Sequence, residues 1–335
     1  MTKKQKFTVL GLLLFLLVFM SLYLGSVKIG IGELFQILSG ADLDKSFVIW
    51  KLRMPKTFLA ILSGISLALS GLYMQSVFRN PLAGPYVLGI SSGSSLGVAL
   101  VILGASLFGG MGLNLIANLS ISFAAFIGAF LVLGLVLIAS RWIKDSLSIL
   151  IIGLMMGSFS SAIVALMSYF SPAENLKKYL IWGMGNLSGV SEQMLLLVLI
   201  STAIGLGIGL YSTKGLNAFI LGDTAAQSIG ISIEKHRNLL FIATCLMTGS
   251  VTAAAGPIAF IGLSIPHISR IIFKSSDHRT LIPATILLGA ISLLFCDIVA
   301  SVPGSSIILP INSISSLIGA PIVIYLMLKK NKLVL

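Results

Sequence analysis

The side chains able to do chemistry are few here, and their spacing argues against catalysis. The three histidines, His236, His267 and His278, have no metal-ligand spacing. No G-x-x-x-x-G-K-S/T phosphate loop occurs, so the chain has no nucleotide cradle of that type. The two cysteines, Cys245 and Cys296, lie inside apolar runs and read as small buried hydrophobes, not as a disulfide or a metal site. Asp297 is the one acid embedded in an apolar run, near its outer end. Such an acid is a candidate proton relay, or it pairs near the interface; a relay generally needs a second group like it. The residues point to no catalytic role, no metal and no cofactor bound by this chain.

Weakly polar residues at helical spacing suit passage better than reaction. Gly153, Gly157 and Ser161 fall at i, i+4 and i+8, on one helix face. That face lets another helix approach closely, or lines a smooth route for a solute. Asn312, Ser313, Ser315 and Ser316 form the most polar run inside any apolar segment. In hydrocarbon these groups need partners or water, so they bond between helices or line a pore.

The elements that must hold these residues are membrane spans. Hydrophobic residues make up 57% of the 335 and charged ones only 10%, against about 25% charged in soluble domains. Too few charges remain to cover a water-facing surface. The apolar runs are continuous, which favours helices over a barrel. Ten spans are expected: Phe7–Gly25, Thr57–Val77, Gly89–Phe108, Leu115–Ser140, Ser146–Phe170, Gln193–Tyr211, Asn238–Ala255, Pro257–Phe273, Leu281–Ser301 and Ser306–Leu328. The first, behind MTKKQKF, shows no clear cleavage site and reads as a retained helix. The pieces between spans are too short for a separate soluble core, so residues 1–335 form a single membrane domain.

The net charge of +12 sits in short clusters between apolar runs, a membrane-orientation pattern and not a nucleic-acid footprint. With the N-terminus inside, the inner segments hold Lys3, Lys4, Lys6, Arg79, Arg141, Lys144, Lys214, Lys235, Arg237, Arg270, Lys274, Arg279, Lys329, Lys330 and Lys332. The outer segments hold Lys28, Lys45, Lys51, Arg53, Lys56, Lys177 and Lys178. This asymmetry places both termini in the cytoplasm, and with them the polar stretch of residues 211–238, YSTKGLNAFILGDTAAQSIGISIEKHRN. A weak internal echo links Gly84-Pro85 with Gly256-Pro257: one opens a span from inside, the other from outside, as an inverted repeat would.

Five stretches carry a family resemblance: QSVFRNPLAGPYVLGISSG (75–93), GPIAFIGLSIPHISR (256–270), LGDTAAQSIGI (221–231), RMPK (53–56) and IGAPIVIYL (318–326). Taken in chain order, from Arg53 to the C-terminus, they resemble the permease subunits of ABC importers for iron-siderophores, haem and cobalamin, the FecCD type. The resemblance implies an all-α integral membrane protein of type II ABC importer permease architecture, multi-pass in the inner (cytoplasmic) membrane. It implies a second permease subunit, identical or related, two ATP-binding subunits that use ATP and Mg, and an extracellular solute-binding protein. Leu221, Gly222, Asp223, Ala225, Ala226 and Gly230 match the coupling segment that seats in a cleft of the ATP-binding subunit. Arg53 and Lys56 match outer docking charges for the binding protein, so reversing both is expected to weaken docking most at low salt. Gly153, Gly157, Ser161, Asn312, Ser313 and Ser316 are the candidates for the translocation path.

The sequence departs from the family pattern at Ser301, usually Arg, at Ile308, usually Glu, at Asn312, usually Gly, and at Lys56, usually Arg. These departures suggest a heterodimer in which a related permease holds the missing charges. The expected function is uptake of a ferric siderophore or related chelate, with haem and cobalamin also in range. The alternatives are a transporter driven by an ion gradient, which would need more intramembrane charge, and a membrane scaffold.

Overall fold

The computed structural model describes residues 1–104, 117–143, 145–228, 230–302 and 307–328. Lys144, Lys329, Lys330 and Lys332 lie outside these, as do the far end of the third expected span and the first residues of the fourth and tenth.

Helices make up all regular structure among the described residues. α1 (Lys3–Tyr23) is followed by a short α2 (Ile31–Leu38), then α3 (Met54–Val77), α4 (Ile90–Ile102), α5 (Ala117–Trp142), α6 (Ser146–Tyr169) and the surface helix α7 (Ala173–Gly183). Next come α8 (Glu192–Tyr211), the short α9 (Thr213–Leu221) and α10 (Asp223–Ser228), α11 (Ile233–Ala255), α12 (Ile261–Phe273), α13 (His278–Ala300) and α14 (Ile311–Leu328). Among the described residues seven helices are long and apolar enough to cross a membrane, and α4, α12 and α14 are shorter apolar helices. Together they answer to the ten expected spans.

Small side chains decide which helices sit in the middle. Along α3, Ser63, Gly64, Ser66, Ala68, Ser70 and Gly71 are all buried, and 78% of its most apolar stretch is enclosed against 22% for α6. A Cβ on Gly71 would come within 1.6 Å of the Gly262 carbonyl oxygen, and one on Gly64 within 2.2 Å of that of Gly289. Glycine there lets the α3 backbone touch α12 and α13 directly, the close packing that helices use where lipid gives no hydrophobic drive. Ser66 and Thr202 share a hydrogen bond of 2.6 Å, which satisfies both hydroxyls between α3 and α8.

Several boundaries differ from the expected ones, for local reasons. α3 starts at Met54 because Pro55 falls in its first turn, where a missing N–H is tolerated. A π-helical turn, Val48–Arg53, leads into it. α11 starts at Ile233, so Lys235, His236 and Arg237 occupy its first turns and do not belong to a loop. α12 starts only at Ile261, because Gly256 (φ 75°) and Phe260 (φ 66°) break the chain around Pro257.

The two Gly-Pro stretches abut. Pro85–Leu88 forms a 3-10 turn ahead of α4, the Tyr86 hydroxyl donates to the Ile258 carbonyl, and the Ile258 N–H lies 3.3 Å from the same hydroxyl. The Tyr86 side chain thus satisfies both backbone groups of Ile258 in the irregular stretch before α12, as buried irregular backbone requires.

The molecule has two ends. At one, Lys6 Nζ donates to the Ile272 carbonyl (2.5 Å), so the N-terminus, the end of α12 and the start of α13 lie together. At the other, Lys51 pairs with Glu192 (2.8 Å), joining the approach to α3 with the start of α8.

Candidate functional site

At the N-terminal end, the stretch expected to couple to a partner is two short helices set at an angle. α9 ends at Gly222, whose φ of 95° and ψ of 158° turn the chain sharply; glycine adopts this left-handed region without steric cost. α10 follows, and Gly230 (φ 79°) closes it with its N–H bonded to Gln227 O (2.9 Å). Leu221 is 65% exposed at the apex, and Gly230 is also exposed. Ala225 is half-buried and Ala226 fully buried, packed into the core below. So the segment offers Leu221 and backbone outward and anchors itself through Ala226. The Asp223 side chain lies outside the described positions.

The segment is tied to the body by polar bonds that the sequence did not single out. Asn217 of α9 donates through Nδ2 to Asp277 Oδ1 (2.9 Å), and its Oδ1 accepts from the His278 backbone N–H (2.9 Å). The Arg279 backbone N–H, then the Asn217 amide, hold the Asp277 carboxyl below its usual value. His278 Nδ1 lies 2.7 Å from Asn217 Oδ1, and Nε2 lies 2.7 Å from Ser76 Oγ at the C-terminal end of α3. Beside it, Arg270 Nη1 donates to Gln75 Oε1 (2.5 Å), and Gln75 Nε2 donates to Leu263 O (3.0 Å). The signal available in the sequence was a Gln-Ser pair closing a long apolar helix. Nothing in it named the partners.

At the opposite end the two outer basic residues have partners within the chain. Arg53 is 8% exposed. Its guanidinium donates to the carbonyls of Leu22 (2.6 Å), Tyr23 (2.8 Å) and Val27 (2.5 Å), closing the open end of α1. It is a helix cap, not a free charge at the surface. Lys56 Nζ lies 3.0 Å from Asp297 Oδ1, with side-chain exposures of 18% and 5%, and donates to Ser301 Oγ (2.6 Å). Asp297 is therefore an ion-pair partner. Ser301 Oγ in turn donates to Asp297 O (2.8 Å), so the three residues form one linked group. These residues line a cavity of about 260 Å³ together with Gly25, Ser188 and Ile308.

The path candidates divide. A Cβ on Gly153 would fall 2.2 Å from Val87 O, and one on Gly157 would fall 3.3 Å from Ser92 Oγ. These two glycines seat the turn before α4 and the start of α4 against α6, a packing role. Ser161 is exposed. In α14, Asn312 Oδ1 accepts from Ala259 N–H (3.0 Å) and its own N–H reaches Met184 O (3.2 Å), so it clamps the broken stretch before α12. Ser315 and Ser316 donate back to Asn312 O, while Ser313 is exposed. Ser161 and Ser313 are thus the candidates that remain open to a solute or a second subunit. Among the described residues no cluster of His, Cys, Asp and Glu could hold a metal, and Cys245 and Cys296 are buried and free.

Comparisons with known proteins agree with this architecture along the whole chain. Residues 13–329 match the FecCD transport family. The vitamin B12 import system permease protein BtuC of Citrobacter koseri is 36% identical over 324 residues, covering 96% of this chain and 94% of that protein. The protein of the same name from Salmonella typhi is 38% identical over 287 residues, covering 85% and 84%. A solved ABC transporter described as metal-chelate type, in an inward-facing conformation, superposes with a TM-score of 0.84 at 29% identity, covering 97% of this chain and 99% of that one. PsaBC from Streptococcus pneumoniae, at 15% identity and a TM-score of 0.53, shares the fold alone. The chain belongs to the FecCD transport family and is a multi-pass permease subunit of an ABC importer.

Proposed function

We propose that this permease serves an importer of ferric siderophores or closely related metal chelates. It would form the passage with a second permease subunit, and two separate ATP-hydrolysing subunits would grip Leu221–Gly230. The observation that carries the coupling half of this reading is the exposed Leu221–Gly222 corner, anchored from below by Ala226 and Asn217. A large chelate needs a wide, weakly polar route, and Ser161 and Ser313 suit one. Asp297, the acid deepest in a span, is neutralised by Lys56, which disfavours an ion-gradient mechanism. The B12 permease relatives favour a second reading, cobalamin, within the same chemical class.

A solute-binding protein would deliver the chelate at the outer end. Because Arg53 and Lys56 are engaged inside this chain, its docking charges would come mainly from the second permease, which makes a related partner the better fit. The test is reconstitution with the neighbouring ATPase, permease and binding proteins, followed by uptake of radiolabelled ferric hydroxamate and of labelled cyanocobalamin. ATP-dependent uptake of the first is expected. Uptake of cyanocobalamin alone selects the second reading, and uptake that ignores ATP but collapses with the ion gradient overturns both.

A further inference from the structure

The polar chain beneath the proposed docking segment is buried between otherwise apolar helices. His278 is 1% and Ser76 4% exposed. Burying such groups is costly unless each is hydrogen-bonded, and here the bonds run in one direction, from α9 through the start of α13 into α3.

The donors and acceptors can be assigned. Asp277 Oδ1 accepts only, so the Asn217 group facing it is the NH₂. The His278 backbone N–H donates only, so the group facing it is the Asn217 oxygen. That oxygen also faces His278 Nδ1 at 2.7 Å, so Nδ1 carries the hydrogen. With a neutral ring, Nε2 is then an acceptor, and a hydrogen bond across the 2.7 Å gap has Ser76 Oγ as its donor. The Ser76 hydroxyl also lies 2.8 Å from Leu72 O. It has one hydrogen, so it serves either the ring or its own helix. The Ser76 hydroxyl thus has two acceptors within reach for its one hydrogen, the imidazole of α13 and the carbonyl of its own helix.

What Ser76 receives, α3 passes on. Its backbone is locked against α12 at Gly71–Gly262 and against α13 at Gly64–Gly289, and the adjacent Gln75 reaches Leu263 O and Arg270 on α12. We propose that Asn217, His278 and Ser76 are positioning residues that carry movement of the docked segment into α3 and, through it, into the broken helix α12. This rests on the docking of Leu221–Gly230 to an ATP-hydrolysing subunit.

The test needs no solute. The complex with its own ATP-hydrolysing subunits is placed in nanodiscs, and backbone hydrogen exchange is followed with and without ATP plus vanadate. In the unaltered complex, residues 213–228 are expected to be protected by the partner, and nucleotide is expected to change exchange at the C-terminal end of α3, residues 74–78. Ser76→Ala leaves packing and docking intact and is expected to shrink that nucleotide response about fivefold or more, within the range of coupling between sites. Ser76→Thr keeps the hydroxyl and restores it. Asn217→Ala should reproduce the loss from the other end of the chain; if that variant fails to assemble, Ser76→Ala decides. A full response in Ser76→Ala, or a Ser76→Thr as defective as the alanine, overturns the proposal. A partner that protects other residues and leaves 213–228 exposed overturns the docking assignment, and the relay with it.

Discussion

Arg53 and Lys56 show how the same residue type serves two ends. A basic residue at the mouth of a span reads identically in sequence whether it faces a partner or turns back to cap a helix. Here the carbonyls left open at the end of α1 take Arg53, and a buried acid takes Lys56. Arg53→Ala should therefore lower the subunit's stability in detergent by about 3 kcal/mol, read as a drop in the unfolding midpoint. Charge reversal at both positions should impair folding equally at low and high salt, instead of weakening docking at low salt. Asp297→Asn should cost about 3 kcal/mol, because it leaves a buried ammonium without its partner. The exchanged pair, Lys56→Asp with Asp297→Lys, should recover part of that in a double-mutant cycle; no recovery would mean that the two do not act as a pair. None of these partners was legible in the sequence, since each lies far along the chain and only the fold brings it near.

Helices were far more legible than side-chain partners. A span is a local property, a run of apolar residues of sufficient length, and the expected ten correspond to observed helices. The misplaced boundaries fall at Pro55, at the charged start of α11 and at the Gly256–Phe260 break, where composition and backbone geometry part company. Gly153 and Gly157 sat at the spacing of both a packing face and a pore, and the turn at Val87 decided for packing. In the segment expected to couple, Gly222 combines an exposed corner with a φ of 95°. Gly222→Arg should block co-purification of the ATP-hydrolysing subunit and leave membrane insertion unchanged. The Asp277 carboxyl, held below its usual value in the folded chain, contributes stability that is present above the ordinary aspartate pKa. That contribution fades as the pH falls from about 4 through the depressed value. Limited proteolysis of residues 213–228 should accordingly speed up as the pH falls through that range and not above it.

At the scale of the molecule, the sequence carries no G-x-x-x-x-G-K-S/T phosphate loop, and among the described residues there is no metal cluster. The central pillars α3 and α11 are enclosed, while α6 and α8 leave most of their apolar surface outside, where lipid and a second permease can cover it. The proposed function has force enter through the exposed corner at Leu221. The most direct measurement is photo-crosslinking from residue 221 in membranes holding the co-expressed transporter. Adducts with the ATP-hydrolysing subunit are expected. Adducts with the solute-binding protein instead, or modification of a cysteine at 221 by a membrane-impermeant thiol reagent in intact cells, would contradict the account.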